Sequence, residues 1–490
     1  MQLFNRGRFL TLSLSGLGAA AVLLASSSAL AATYKVGPSK PYASLDEVAP
    51  LLEPGDVVEV DGGATYAGDV DFDNPGTAAQ KITIRGIPVN GQRPVLEGGV
   101  RTVAFNGDHY VFEGFEVTGG TNVCVFHHAD DITLRDMEVH DCPGHGVLGA
   151  DEDSGSLLME YVEVYGCGSG DTKHQIYIAT DEYAHPGSVF RMQHSFVHHG
   201  NGGNNVKSRA ERNEIYYNWI EGAYYHEIEL IGPDGQDPEL AREDSDVVGN
   251  VFVKTGEWYV ARIGGDGTGE TFGRYRFANN TFLLAPGDST AIRMFDGIES
   301  VEMHNNAFYR LGGGGVSVYT DGSASWATGQ PVIAGVNNWI PSGSEAVPAQ
   351  WAGTRSGSNP GFVDVDALDL RPSSGSALVN AGGTPVSPSG HSFSAPLAAP
   401  KFMPPAGESA GTGSAAPRTP SGKIDIGAYE LGQGPQASLA RDYDADLDAR
   451  GDMDMGAGSC AYGSGGASCS GAAALAAASL LAAAGLRRRA

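Results

Sequence analysis

Short runs of alternating apolar and polar residues recur along the middle of the chain. Each run is bounded by Gly, Asn or Asp, and an alternation with a period of two predicts a β-strand. Eight runs align on one apolar or aromatic position, and successive members of the set are 22 to 33 residues apart. A constant strand with variable spacing predicts a solenoid whose loops differ in length. The aligned positions are Val117, Val139, Val164, Val197, Ile220, Val253, Leu283 and Tyr309.

Asparagine precedes four of the repeated strands, at Asn218, Asn250, Asn280 and Asn306. A stacked asparagine can hydrogen-bond its counterpart in the next coil, and it tolerates a tight left-handed turn. The units are shorter than a β-propeller blade of about 45 residues, and they lack the leucines of a leucine-rich repeat. The pattern therefore predicts an all-β fold, a parallel β-helix.

Both ends of the repeat region carry motifs of a known superfamily. The stretch "LEPGDVVEVDGGATY" (Leu52–Tyr66) resembles the first coil of the pectate-lyase-like proteins, and "DIGAYE" (Asp425–Glu430) resembles the ending of their bacterial members. The resemblance spans roughly Thr33–Leu431 and implies a right-handed parallel β-helix.

The open end of such a solenoid needs a cover for its unpaired edge. Leu45, Val48, Leu51 and Leu52 recur at helical spacing within Tyr42–Leu52. This stretch predicts a short N-terminal capping helix.

The N-terminal segment 1–31 has the three parts of a secretory signal. Arg6 and Arg8 precede an apolar run, and Ala29-Leu30-Ala31 forms a small-residue cleavage site. We expect an exported protein whose β-helix domain covers residues 32–431. Residues 432–470, which include "RDYDADLDARGDMD", read as an acidic and Gly-rich linker.

The C-terminal segment 471–490 consists of small and apolar residues followed by Arg487, Arg488 and Arg489. Together with the preceding "GSCAYGSGGASC" it resembles bacterial C-terminal sorting signals of the Cys-containing myxobacterial kind or the Gly-Gly kind. The resemblance implies display on the surface of a Gram-negative-type cell or release from it. Contact with the membrane is then expected only through this tail, before processing.

The charge balance is strongly acidic, with 31 Lys and Arg against 58 Asp and Glu, a formal net charge of -27. This balance argues against nucleic acid and anionic membrane surfaces as partners. A polyanionic substrate needs a local group of basic residues or a bound cation. We expect a monomer with a polysaccharide as its partner.

Five cysteines are too few for a disulfide-rich scaffold. Cys142 and Cys167 follow equivalent strands of consecutive repeats, 25 residues apart. Stacked coils bring such positions within reach of a disulfide. The sequence predicts either this disulfide or two stacked free thiols.

One face of the predicted solenoid collects long polar side chains. Val206 and Ile228 are 22 residues apart, which is one short coil, and strand alternation then places Lys207 beside Glu229 and Asn205 beside Glu227. The same register extended to neighbouring coils adds further residues to this face. The full set is His174, Gln175, Tyr177, Asn205, Lys207, Arg209, Glu227, Glu229, Arg262 and Arg293.

This set suits β-elimination on an acidic polysaccharide. An arginine or a cation can neutralise a uronate carboxylate, and a lysine whose pKa is lowered by neighbouring positive charge can remove the adjacent proton. We assign catalytic roles to Lys207, Arg209 and Arg262. Substrate-binding roles are assigned to His174, Gln175, Tyr177 and Arg293.

The set also resembles the calcium-dependent alginate lyase and chondroitinase B group. The resemblance implies Ca²⁺ as a cofactor, held by Asn205, Glu227 and Glu229, with Lys207 as the base and Arg262 as the arginine. Carboxylate and amide oxygens are suitable Ca²⁺ ligands. In that group the lysine follows the acidic pair, whereas here Lys207 precedes it by one coil.

Three alternatives remain open. The face can be a ladder of salt bridges on a non-catalytic glycan-binding or structural surface protein. A glycoside hydrolase needs clustered carboxylates, and Asp130, Asp131 and Asp321 do not supply a convincing set. The pairs His127-His128 and His198-His199 can bind a metal, but paired turn histidines are more often plain surface residues.

Overall fold

The computed structural model describes residues 31–232, 243–256, 258–266, 271–286, 290–391, 393 and 395–436. The signal segment up to residue 30, most of the linker and the C-terminal tail lie outside the described residues and stay predictions. Within the described residues, no helix is long and apolar enough to span a membrane.

The described chain is built from short strands. The first coils contain β1 (Thr33–Val36), β2 (Val57–Asp61), β3 (Thr65–Ala67), β4 (Val70–Phe72), β5 (Ile82–Ile87), β6 (Val95–Glu97), β7 (Arg101–Phe105), β8 (Tyr110–Glu113), β9 (Glu116–Thr118), β10 (Val123–His127), β11 (Ile132–His140) and β12 (His145–Gly149). The middle coils contain β13 (Leu157–Tyr165), β14 (Ile176–Ala179), β15 (Val189–Gln193), β16 (Phe196–His198), β17 (Val206–Arg209), β18 (Arg212–Tyr216), β19 (Trp219–Glu221), β20 (Ile228–Leu230), β21 (Asp244–Val248), β22 (Val251–Val253), β23 (Ala261–Ile263), β24 (Arg274–Ala278) and β25 (Thr281–Leu284). The last part contains β26 (Thr290–Met294), β27 (Ser300–His304), β28 (Ala307–Arg310), β29 (Ser317–Thr320), β30 (Ile333–Val336), β31 (Trp339–Pro341), β32 (Trp351–Ala352), β33 (Arg355–Gly357), β34 (Phe362–Asp364), β35 (Asp369–Pro372), β36 (Phe402–Met403) and β37 (Ala416–Pro417).

The strands stack into three parallel rows, which we name sheets I, II and III. Sheet I runs from β1 and β2 to β30 and β32, and sheet II runs from β3 and β6 to β31 and β33. The two join because β11 and β13 pass through both, each bending at a residue with positive φ, Asp136 or Tyr161. Sheet III contains β4, β7, β10, β12, β14, β17, β20, β23, β26 and β29 in that order. The predicted right-handed parallel β-helix is confirmed.

The interior of the solenoid consists of residues stacked coil upon coil. Phe252, Phe282 and Phe308 stack with ring centroids 5.2 and 4.7 Å apart. The predicted asparagine ladder is also present, since Asn250 donates to Asn280 and Asn280 to Asn306, both at 3.0 Å. The left-handed residues of these turns are the preceding ones, such as Asn279 and Asn305.

The predicted short N-terminal helix is present, but it is shorter than the predicted stretch Tyr42–Leu52. Only Ala49–Leu51 forms a helix, a single 3-10 turn with Pro50 inside it. Proline lacks an amide hydrogen and disfavours helical geometry at the residue before it, so the turn does not extend. Leu45, Val48 and Leu52 still bury against the first coil, whereas Leu51 is 46% exposed.

The predicted Cys142–Cys167 disulfide is wrong. Cys142 is bonded to Cys124, with a Cα–Cα separation of 6.0 Å, and Cys167 is a buried free thiol. Cys124 lies on β10 in sheet III and is itself fully buried. The bond therefore crosses the interior between two sheets instead of joining stacked positions of one sheet.

The C-terminal segment 395–436 packs back onto the solenoid. Tyr217 donates its hydroxyl to the carbonyl of Ala399 at 3.0 Å, and Asn279 donates to the carbonyl of Asp425 at 2.9 Å. Fully buried Arg418 bonds Glu430 at 2.8 Å. The "DIGAYE" stretch is thus part of the folded domain.

Candidate active site

A column of long polar side chains runs along sheet III in strict register. Tyr177 on β14 pairs with Lys207 on β17, and Lys207 pairs with Glu229 on β20. Glu229 pairs with Arg262 on β23, and Arg262 with Arg293 on β26. The predicted register is confirmed at each of these steps.

The column forms the floor of a cleft of about 460 Å³. Lys207, Glu229 and Arg262 lie on the floor, and Tyr225 and Trp258 form an aromatic wall. The two rings meet edge to face at 5.3 Å, and Trp258 is 50% exposed. Aromatic rings that are half exposed at a polar cleft suit contacts with the apolar faces of sugars.

Lys207 lies in the centre of this floor. Its Nζ is 3.8 Å from Glu229 Oε2 and 4.8 Å from the centroid of the Tyr177 ring. Burial lowers the pKa of Lys207, and the nearby Arg209 and Arg262 lower it further, while Glu229 opposes them. A lowered pKa makes the neutral amine, the form that a general base requires, easier to reach.

Arg209 is held by three groups that fix its guanidinium. It donates to the Tyr177 hydroxyl at 2.9 Å, to the carbonyl of Gly232 at 2.7 Å and to the carboxylate of Asp266. Its side chain is only 4% exposed. Arg209 lines the cleft and fixes the Tyr177 hydroxyl, and its predicted catalytic role stays a prediction.

Arg262 and Arg293 extend the positive charge along sheet III, and Arg262 of the two lines the cleft. Arg262 pairs with Glu229, and its guanidinium lies 4.4 Å from the Phe295 ring centroid. The Arg293 guanidinium lies 4.9 Å from the centroid of the same Phe295 ring and 5.5 Å from the centroid of the Tyr259 ring. The predicted positions of both arginines beside Lys207 and Glu229 are thus observed, with Arg293 farther from Lys207.

Gln175 does not face the cleft, so its predicted contact with substrate is wrong. The residue is fully buried, and its amide donates to the carbonyl of His198 at 2.9 Å and to Asn205 Oδ1 at 2.8 Å. The backbone at Gly200 lies over it, because a Cβ placed there would be 3.5 Å from Gln175 Cγ. This turn covers a position that strand alternation alone predicts to be outward.

The predicted calcium ligands divide into two groups. Fully buried Asn205 donates to Glu227 Oε2 at 2.7 Å, and Glu227 also lies 3.6 Å from the ammonium of Lys254. Glu229 instead accepts from Asn204 at 2.5 Å and pairs with Arg262. The two carboxylates face different cations, and this donor set does not fit a calcium ion without displacing them.

No group of three or more His, Cys, Asp or Glu side chains within the described ranges is arranged for a metal ion.

Three histidines form a second column beside Lys207, and two of them, His145 and His226, were not predicted from the strand pattern. The His174 amide donates to His145 Nδ1 at 3.1 Å, and the Asn204 amide donates to His174 Nδ1 at 2.9 Å. The His226 amide donates to Asn204 Oδ1 at 3.0 Å. Of these histidines, only His174 was predicted in the site. The signal that could have revealed the others is a histidine or asparagine two residues before an inward apolar residue of these sheet III strands.

These contacts fix the tautomers. Nδ1 accepts in His145 and His174, so their protons lie on Nε2. Asn204 must turn its NH₂ to the Glu229 carboxylate, so its Oδ1 accepts from His226 Nδ1 at 2.9 Å. His226 Nε2 then carries a lone pair instead of a proton. This atom is buried and has no hydrogen-bond partner among the described residues.

The histidine column is electrically neutral. Burial, followed by Lys207, lowers the pKa of His174 to about 2, and burial, followed by Lys173, lowers that of His145 to about 4. Burial, followed by Lys254, holds the pKa of His226 well below its ordinary value. The column therefore shields Lys207 from water without adding positive charge.

The acids proposed for a glycoside hydrolase do not cluster. Asp131 pairs with Lys81 at 2.6 Å and His109 at 2.9 Å. Asp130 caps the amide of Ser156 at 2.7 Å, and Asp321 accepts from the Trp326 indole many coils away. They supply no pair of carboxylates across one cleft.

No protein-family model matches the chain, and no curated protein matches it. Solved structures do share its architecture. The pectate lyase Pel9A superposes with a TM-score of 0.52 at 14% identity, covering 82% of this chain and 97% of that one. A complex of XylC with xylose gives 0.48 at 9% identity, covering 67% and 86% of the two chains. A PL6 family polysaccharide lyase from Pseudopedobacter saltans gives 0.39 at 14% identity, covering 64% and 90%.

Proposed function

We propose that the protein binds an acidic polysaccharide in the sheet III cleft and cleaves it by β-elimination beside a uronate. The observation that carries the proposal is Lys207, a lysine of lowered pKa placed between Tyr177 and Glu229 on the floor of a sugar-sized cleft. Pel9A, which shares the fold, is described as a pectate lyase.

The charge of the cleft supports an anionic substrate. Lys207, Arg209 and Arg262 line it against two acids, Asp171 and Glu229, in a chain with 27 more acidic than basic residues. Arg262 is the group placed to pair with the uronate carboxylate, because its guanidinium is held by Glu229 at the cleft floor. Neutralising that carboxylate makes the adjacent C–H bond more acidic.

Lys207 and Tyr177 supply the two proton transfers. Neutral Lys207 takes the proton α to the carboxylate, and the electron pair of that C–H bond forms the C=C bond as the C–O bond to the leaving sugar breaks. The Tyr177 hydroxyl gives its proton to the leaving oxygen. The Arg209 Nε hydrogen bond stabilises the resulting phenolate, which recovers a proton from the Lys207 ammonium.

The products distinguish this reaction from hydrolysis. We expect the purified protein to convert alginate, pectate or chondroitin into oligosaccharides with an unsaturated end. The summed mass of the products should equal the mass of the polymer, because β-elimination adds no water. Products that carry one added water per cut would indicate a glycosidase, and intact polymer in every reaction would contradict the proposal.

A non-catalytic glycan-binding protein is the second candidate. The exposed Trp258 and its partner Tyr225 favour it, because aromatic stacking on sugars requires no chemistry. The Lys207–Glu229–Arg262 ion pairs also agree with a purely structural ladder. Binding of a polysaccharide without any cleavage would favour this candidate.

A further inference from the structure

Lys254 is a charged residue with no access to solvent. It follows β22 directly, and its relative exposure is 0%. Lysine is almost never fully buried unless it is paired. The reaction proposed above assigns no role to it.

The surroundings of Lys254 are oxygen atoms. Its Nζ donates to the carbonyl of Ala223 at 3.3 Å and to the carbonyl of Tyr225, and it lies 3.6 Å from Glu227 Oε1. Glu227 is fully buried as well and accepts from the Ala223 amide. Two backbone carbonyls and a carboxylate are the donor types that hard divalent cations take in proteins.

The side-chain NH₂ group of Asn205 points toward these oxygen atoms. Its Nδ2 bonds the Glu221 carbonyl and Glu227 Oε2, both at 2.7 Å. Its Oδ1 accepts from Gln175 instead. The amide oxygen that would serve as a metal ligand therefore faces away from Glu227.

We propose that Lys254 takes the place of a divalent cation in this oxygen cage. Its ammonium supplies the positive charge that balances Glu227, and its carbonyl contacts fix the turn that carries Tyr225 and His226 into the cleft. The cleft then needs no divalent metal. This last consequence rests on the proposed function, whereas the replacement of a cation by Lys254 does not.

The test is calcium binding by the full chain and by variants that empty the cage. Lys254→Ala removes the ammonium and leaves Glu227 with the two carbonyls. We expect its melting temperature to be several degrees lower than that of the wild type and to recover when Ca²⁺ is added. The wild type, and the double variant Lys254→Ala with Glu227→Gln, should show no such recovery.

Terbium luminescence gives a second readout that does not depend on activity. Tyr225 and Trp258 lie close enough to sensitise Tb³⁺ in the cage, so Lys254→Ala should show a signal that Glu227→Gln abolishes. The acidic segment after residue 440 offers weak cation sites in every variant, and the comparison between variants removes that background.

Three results would overturn the proposal. One is a Glu227-dependent response of the wild type to Ca²⁺ or Tb³⁺, and another is a folded Lys254→Ala variant that responds no more than the double variant. If Lys254→Ala does not fold alone, failure to fold in the presence of Ca²⁺ also counts against it. An inert wild type would contradict the proposed function and leave these readouts unaffected.

Discussion

Lys207 and Glu229 are register partners on adjacent strands of sheet III, with Nζ and Oε2 3.8 Å apart. Glu229 also pairs with Arg262, so one carboxylate lies between the proposed base and the proposed carboxylate-binding arginine. It opposes the effects that lower the pKa of Lys207. Glu229 thus sets the balance between a neutral and a charged Lys207.

Glu229→Gln should shift the pH dependence of cleavage. Because the base acts as a neutral amine, activity rises as pH increases through the pKa of Lys207. Removing the Glu229 charge lowers that pKa, so the rising limb of kcat/KM against pH should move to lower pH. An unchanged limb would mean that Lys207 is not the titrating base.

Trp258→Ala should raise KM more than it lowers kcat, because the ring contacts the sugar chain and not the reacting atoms. We expect a loss of about 0.5–1.5 kcal/mol in substrate binding, the range of a single aromatic contact. Tyr183→Ala is the matched control, since Tyr183 is 73% exposed outside the cleft. Equal effects of the two substitutions on KM would contradict the sugar-binding role.

Arg209→Ala should lower both kcat and the free energy of unfolding. The substitution removes hydrogen bonds to Tyr177, Gly232 and Asp266, each worth about 1 kcal/mol or more. Arg191→Ala, in an exposed pair with Glu214, should cost less than about 1 kcal/mol. Urea unfolding compares the two, and a normal kcat in Arg209→Ala would remove its positioning role.

The neutral histidine column should make the protein sensitive to acid. The pKa of His174 in the folded state, about 2, lies below that of the unfolded chain, so the unfolded chain binds more protons and stability falls as pH drops below about 6.5. His174→Asn, which copies Asn204, should reduce the loss of unfolding free energy between pH 7 and 5 by about 2 kcal/mol.

His140 provides a control of opposite sign. Its pKa is raised: burial lowers it, but hydrogen bonds to Asp141 and Glu116 more than compensate. The stability it contributes is present at low pH and lost as pH rises, so His140→Asn should make the acid loss larger. Urea unfolding at both pH values checks the pair, and changes of the same sign in the two variants would contradict the assignment.

The sequence was sufficient for the solenoid and for the Lys207–Glu229 register. Both follow from a period of two along each strand and from a coil of 22 residues between Val206 and Ile228, and neither depends on the loops. The burial of Gln175 could not be predicted in this way, because it depends on the path of the turn at Gly200.

The repeat pattern also could not predict contacts between different parts of a coil. Aligned strands reveal stacked partners such as Cys142 and Cys167, whereas the observed disulfide joins Cys142 to Cys124 on another sheet. Lys254 likewise enters the Glu227 environment from a turn after β22, not from the column of aligned outward residues. Such contacts depend on how each corner folds.

The most direct test of β-elimination is the ultraviolet absorbance of unsaturated uronate, followed with alginate, pectate and chondroitin in the presence of a chelator. Wild-type protein and the Lys35→Ala control, whose exposed lysine pairs with Glu59 on the first coil, should produce the absorbance at equal rates on at least one polymer. Lys207→Ala should produce none while remaining folded. Absence of the absorbance on every acidic polymer, or an undiminished rate in Lys207→Ala, would contradict the account.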